Sequence, residues 1–261
     1  MCDSKPVKSF KVDLMTVEIY ESDVALGRAA AEYAAGKVQE AIRERGQANL
    51  ILATGASQFA FLETFKNISS VDWSKIRVFH LDEYKDISDE HPASFRKYLR
   101  ERILDEVKPA EVNYLVGDAL DIEAETMRYE NLLKTHLIDL ACIGIGENGH
   151  IAFNDPAVAD FNDPRLVKVV ELDDACRRQQ LGEGWFPTLE DVPQEALSLT
   201  IPAIMSSKVI SCVVPDKRKA AAVYNALYGP VSIACPASIL RKHSAVTLFL
   251  DLLSAAELDK G

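Results

Sequence analysis

Four short runs in the 261-residue chain hold the residue types that move protons or bind anions. The richest is Gly144-Ile145-Gly146-Glu147-Asn148-Gly149-His150-Ile151-Ala152-Phe153-Asn154-Asp155-Pro156. Its glycines, Gly149 among them, permit tight turns and close approach of a ligand to the backbone. An imidazole such as that of His150 can serve as acid or base, and Asp155 is near enough in sequence to orient it; the other reading is a polar loop histidine with its bonds satisfied. Asp82 follows an apolar run directly, where partial desolvation makes a carboxylate more basic and suited to abstracting a proton, although a strand-terminal Asp also serves as a turn former. Its neighbour Glu83 is expected to be structural or solvated.

The run Thr54-Gly55-Ala56-Ser57-Gln58 places hydroxyls and backbone N–H groups at a strand-to-helix turn, which suits either a phosphate or plain helix capping. It matches neither the Walker pattern nor G-x-G-x-x-G, so a nucleotide is not expected. Lys217, Arg218 and Lys219 open a late helix, where cations oppose the macrodipole. They form a solvated basic patch, or one of them completes a phosphate pocket.

The elements that must carry these runs alternate between helix and strand, which argues for an α/β fold with an open, mainly parallel sheet and helices on both faces. Residues 25–45 read as a long Ala-rich amphipathic helix, and 48–53 as a short apolar strand running into Thr54, with Ser57 a candidate cap for the next helix. Residues 75–81 (KIRVFHL) form a buried strand ending at Asp82. His91-Pro92-Ala93-Ser94 opens a basic amphipathic helix through Arg102. Residues 138–145 (IDLACIGI) form the most apolar strand, ending in the His150 run. Each polar cluster thus sits at the carboxyl end of a strand, where open α/β sheets bind ligands. Strands near 166–172 and 208–214 and a helix over 216–227 follow. The polar stretch 173–191, with Gly182-Glu183-Gly184-Trp185-Phe186-Pro187, is either a mobile lid or a packed surface loop.

Composition bounds the function. The chain is 48% hydrophobic and 26% charged, ordinary globular usage within the size range of one domain spanning 1–261. Its 29 Lys and Arg against 40 Asp and Glu give a net charge of -11, which disfavours nucleic acid or an anionic membrane as partner, so an anionic ligand needs local donors. Cys2, Cys142, Cys176, Cys212 and Cys235 are scattered and odd in number, fitting a reducing compartment rather than a disulfide framework or a structural zinc site. The N-terminal run 1–9 lacks a secretory apolar segment, and no stretch reaches the roughly 18 apolar residues of a membrane span, so the expected location is cytoplasmic.

In order and spacing these runs resemble the glucosamine-6-phosphate deaminase/isomerase family, which is related to the 6-phosphogluconolactonases. The resemblance covers Thr54-Gly55, Phe79-His80-Leu81-Asp82-Glu83-Tyr84, His91-Pro92-Ala93-Ser94-Phe95, Gly144 to Pro156, Lys219-Ala220, and Pro236-Ala237-Ser238-Ile239-Leu240 with His243. It implies that Asp82 moves a proton between C2 and C1 of an amino-sugar phosphate and that His150 assists ring opening. Asp155 takes the place of the family's His-orienting Glu, with Asn148 in the same acid–base set. The resemblance also implies that Thr54, Gly55, Ala56, Ser57 and Lys219 hold the phosphate of a small-molecule sugar phosphate, and that neither metal nor organic cofactor is used. A homo-oligomer is compatible with it.

Three departures stand out. Asn148 occupies a position where several members have Asp; the phosphate turn reads Ala56-Ser57-Gln58 in place of a small polar residue, Thr or Ser, and Pro; and the lid-like stretch lacks the usual Ala-Arg-Phe-Phe. Arg177 and Arg178 are candidates to replace that arginine. The alternatives are a lactonase, disfavoured by Ile-Ala-Phe-Asn after His150, and a sugar-phosphate sensor that has lost turnover.

Overall fold

The computed structural model describes residues 5–182 and 184–258; Cys2, Glu183 and the start of the N-terminal run lie outside them. Eight strands form the principal sheet, in the order β1 (Lys8–Val12), β2 (Met15–Tyr20), β11 (Val246–Asp251), β10 (Val209–Val214), β7 (Leu140–Ile143), β3 (Ala48–Leu52), β4 (Ile76–His80) and β6 (Glu111–Asn113). Only β1 and β2 pair antiparallel; every other neighbour in this sheet is parallel. Parallel strands need crossovers and are covered on both faces, which is why the central strands read as unbroken apolar runs.

Side-chain alternation along those strands divides the core in two. Leu50, Leu52, Val78, Leu140, Cys142, Val213 and Phe249 pack with α1 (Asp23–Arg45) and α2 (Phe59–Lys66). Ile51, Phe79, Ala141, Ile143, Cys212, Val214 and Leu248 face the other way. There they meet Tyr129 of α5 (Ile122–Thr135), Ile204 of α7 (Ile201–Met205) and Val223 of α8 (Ala220–Tyr228). The helix expected from His91 begins instead as α3 (Phe95–Leu99), capped by the Ser94 hydroxyl, and continues through a π-helical turn at Arg100–Leu104 into α4 (Asp105–Val107).

The strand expected at 166–172 is β8 (Val167–Glu171), and it does not join the parallel sheet. It forms a three-stranded antiparallel sheet with β9 (Glu195–Leu199) and β5 (Asp82–Tyr84). This small sheet covers an aromatic cluster in which the Tyr84 ring lies 4.9 Å from Phe95, 5.4 Å from Phe153 and 5.4 Å from Phe186. Stretch 173–191 is anchored there through Cys176 and Phe186 and is partly helical, as α6 (Asp174–Gly182). Cys142, Cys176, Cys212 and Cys235 are free and buried. Among the described residues, no helix is long and apolar enough to cross a membrane.

Candidate active site

A crevice of about 500 Å³ opens at the carboxyl ends of the parallel strands. Six strand ends contribute: Glu21 to Asp23 after β2, Ala53 to Ser57 after β3, Leu81 and Asp82 after β4, Gly144 to Glu147 with His150 after β7, Pro215, Asp216, Arg218 and Lys219 after β10, and Asp251 of β11. Convergence is the sequence expectation for three of the four chemistry-bearing runs, and the fourth joins them. The principal sheet is the reason, since its parallel strands deliver all six ends to one side.

Asp82 is the first residue of β5, where the chain leaves the principal sheet for the small one. Burial raises the proton affinity of its carboxyl to about 8, with the adjacent Glu83 carboxylate adding to the effect. Of the two expectations for Glu83, the structural one fits and the solvated one does not: fully buried, it accepts bonds from the Ser94 hydroxyl at 2.9 Å, the Phe95 N–H at 3.1 Å and the Arg96 N–H at 3.0 Å. It ties the start of α3 to the strand end that presents Asp82.

His150 faces the crevice from a loop shaped by two glycines. At Gly146 any side chain would collide with the His150 ring. Gly149 has φ +86°, and a Cβ there would stand 2.7 Å from Cys235 Sγ. Gly149 therefore packs behind the loop rather than lining the crevice, which corrects its assignment to ligand binding: its missing side chain serves the turn. The His150 Nδ1 lies 2.9 Å from Asp155 Oδ1 and 2.8 Å from Asn148 Oδ1, and the Asn148 amide donates to Asp155 Oδ1 at 2.8 Å. Both neighbours of Nδ1 are acceptors, so Nδ1 carries the proton and Nε2 of the neutral ring is the basic nitrogen. Burial opposes ionisation of Asp155, but the bond to His150, the attraction of its ring when protonated and the bond from Asn148 outweigh it and hold the carboxyl below its usual range. Asn148 and Asp155 stand behind His150 and touch the crevice only through it.

The donor atoms of His150, Asp155 and Cys176 lie within 4.8 Å of one another. The imidazole and carboxylate are already bonded to each other, and burial raises the Cys176 thiol far above its ordinary value. The three side chains thus form an acid–base pair beside a buried thiol.

The phosphate candidates Thr54, Gly55, Ala56 and Ser57 line the crevice, as does Lys219. Gly55 has φ +95°, and the chain then makes a 3-10 turn over Ala56–Gln58 before α2. Ser57 does not cap that helix: its hydroxyl accepts from the Gln58 amide at 3.0 Å, and no side chain caps either the turn or α2. The backbone N–H groups of the turn thus stay without a side-chain cap.

Arg177 and Arg178 do not reach the crevice, against expectation. Residues three and four apart share a helix face, and in α6 the inward face carries Cys176, Gln179 and Gln180. The Arg177 guanidinium is turned to the Leu189 carbonyl at 2.6 Å and the Val192 carbonyl at 3.1 Å, and Arg178 is exposed. Gln179 and Gln180 are what the sequence reading missed. Gln179 accepts from the Glu147 N–H at 3.0 Å, and Gln180 accepts from the Tyr84 hydroxyl at 2.7 Å. A correct helical register for 174–182 would have found them. Asp216 and Asp251 were also missed; each follows or ends an apolar strand, the same signal that exposed Asp82.

An open α/β sheet whose strand ends bring together a buried carboxyl, an oriented imidazole and a strand-to-helix turn without a side-chain cap has the build of an acid–base enzyme. The chain belongs to the family of glucosamine-6-phosphate isomerases and 6-phosphogluconolactonase, whose model matches residues 21–249. It is 36% identical over 216 residues to a glucosamine-6-phosphate deaminase of Streptococcus pyogenes, covering 82% of this chain and 89% of the relative. It is likewise 36% identical over 219 residues to one of Exiguobacterium, covering 84% of each. A solved monomeric glucosamine-6-phosphate deaminase superposes with a TM-score of 0.84 at 31% identity, over 92% of this chain and 98% of that one. The 6-phosphogluconolactonase of Trypanosoma brucei shares the fold, with a TM-score of 0.76 at 17% identity over 96% and 100% of the two chains.

Proposed function

We propose that this protein converts glucosamine-6-phosphate and water into fructose-6-phosphate and ammonia. The observation that carries the proposal is Asp82: a buried carboxyl with a proton affinity near 8, lining the same crevice as the oriented His150. Such a group can take a proton from carbon and return it, because neither protonation state is strongly disfavoured near neutral pH.

His150 Nε2 shuttles the proton that opens the sugar ring, exposing the C1 aldehyde that acidifies C2–H. Asp82 removes that hydrogen as a proton, and the C2 amino group stabilises the resulting enolamine. Asp82 returns the proton to C1, giving a ketimine at C2. Water adds to the ketimine and ammonia leaves, yielding the ketose phosphate. Asp155 holds the imidazole in the required tautomer and stabilises its cation. Asn148 fixes the same geometry but has no acid form to relay a proton, so the relay has two members. The Thr54 to Ser57 turn and Lys219 hold the phosphate, with backbone N–H groups and a cation as donors.

Relatives named as deaminases support this substrate over a lactone. The chain acts as one domain in the cytoplasm, a location favoured by the four buried free thiols among the described residues. Stretch 173–191 closes over the bound sugar, supported by Gln179 and Gln180 of α6 reaching the crevice. Incubation of the pure protein with glucosamine-6-phosphate, its galacto epimer and its N-acetyl derivative, while ammonia is followed, tests the proposal. Release from the gluco compound supports it, and absence of ammonia from all three overturns it.

A further inference from the structure

We propose that Arg218 is the second phosphate-binding cation of this protein, supplied by the loop after β10 in place of an arginine from the lid. The assignment rests on the crevice holding a sugar phosphate. Among the described residues lining the crevice, the only Lys or Arg side chains are Arg218 and Lys219. α6 offers it only the neutral amides of Gln179 and Gln180, and Arg177 is spent on backbone carbonyls.

The loop after β10 and the Thr54 to Gln58 turn meet at one end of the crevice. The Gln58 amide donates to the Val213 carbonyl at 3.4 Å, and both Ser57 and Gln58 pack on the backbone at Gly144. A phosphate held by the turn is therefore next to the strand end that carries Arg218 and Lys219. Asp216 adopts φ +87°, a left-handed conformation that a non-glycine residue keeps only when its surroundings enforce it. Here its carboxylate accepts the Arg218 N–H at 3.0 Å, and its own N–H donates to Asp251 Oδ2 at 3.3 Å.

The Arg218 guanidinium is held beside the crevice by two carboxylates. Its Nη2 lies 3.0 Å from Asp216 Oδ2, and its Nη1 lies 3.5 Å from Glu147 Oε1. The side chain is half exposed, so one face can accept a ligand. A guanidinium presents paired N–H donors that match two oxygens of a phosphate, which a lysine cannot do. Glu147 belongs to the His150 loop, and it competes with an incoming phosphate for Arg218.

Binding of inorganic phosphate to the full chain, measured by calorimetry, tests the assignment without requiring turnover. Arg218→Gln should weaken phosphate binding about 10-fold, and Arg218→Lys should restore part of it. Glu147→Gln, which removes the competing carboxylate, should tighten phosphate binding, whereas Lys217→Gln, outside the crevice, should leave it unchanged. In turnover Arg218→Gln should raise KM for glucosamine-6-phosphate by about 10-fold and change kcat by less than about twofold. Unchanged phosphate affinity in Arg218→Gln, or an equal loss in Arg177→Gln or Arg178→Gln, would overturn the assignment. If the wild type binds phosphate through Arg218 but releases no ammonia, the deamination proposal falls and the anion site stands.

Discussion

At the scale of single residues, Asp82 and His150 differ in how they are prepared. The environment of Asp82 raises its proton affinity, while that of His150 fixes which nitrogen is basic. The base must be ionised to take a proton from carbon, so kcat/KM should rise with pH through a limb ending near 8 and flatten above it. A rate profile already flat from pH 6 upward would contradict that preparation. The same burial affects stability. A carboxyl whose folded value is raised contributes stability that is full below its ordinary range near pH 4 and is lost as pH rises to about 8. Asp82→Asn does not titrate, so its thermal midpoint should gain on the wild type between pH 5 and pH 8.5; a constant gap would mean that the carboxyl is not desolvated. Lys219→Ala should weaken sugar-phosphate binding by about 1.5 to 3 kcal/mol, the range for a charge-assisted bond, and unchanged affinity would remove Lys219 from the site.

At the scale of elements, placement depends on two joints. One is the change of sheet after β4, where Glu83 bonds the start of α3 and thereby holds Asp82 at the crevice mouth. The other is the β7 loop, where Gly146 leaves room for the imidazole. Gly146→Ala should displace the ring and lower turnover by about 100-fold, a loss typical of misplaced catalytic groups, with the melting transition still cooperative. The proposed lid is α6 with the turn after it. Trp185 is partly exposed there, and Phe186 is anchored against Tyr84. In a Trp73→Phe background, saturating ligand should shift Trp185 fluorescence and slow proteolysis of 173–191. If both stay constant, the segment is a static cover.

At the scale of the whole molecule, the sequence shows the parallel half of the architecture more clearly than the rest. Residues 48–52, 76–80 and 140–143 are continuous apolar runs because both of their faces are buried, and each leads into a polar cluster. The convergence of Thr54, Asp82 and His150 is therefore legible in the amino-acid sequence. The small sheet is not, because nothing local in Val167–Glu171 says which strands it pairs with. Gln179 and Gln180 go unnoticed for a related reason: a glutamine acquires its role from the helix face it occupies, and stretch 173–191 reads as irregular until α6 is given its register. The arginines beside them draw attention by their charge but point away from the crevice. The central claim is that this strand-end crevice deaminates an amino-sugar phosphate with Asp82 as its carbon base. Ammonia release from glucosamine-6-phosphate by Asp82→Asn, set against the wild type, tests it most directly. The account predicts a fall of about 100-fold or more with ligand affinity retained, as expected for loss of a general base; release at the wild-type rate would contradict it.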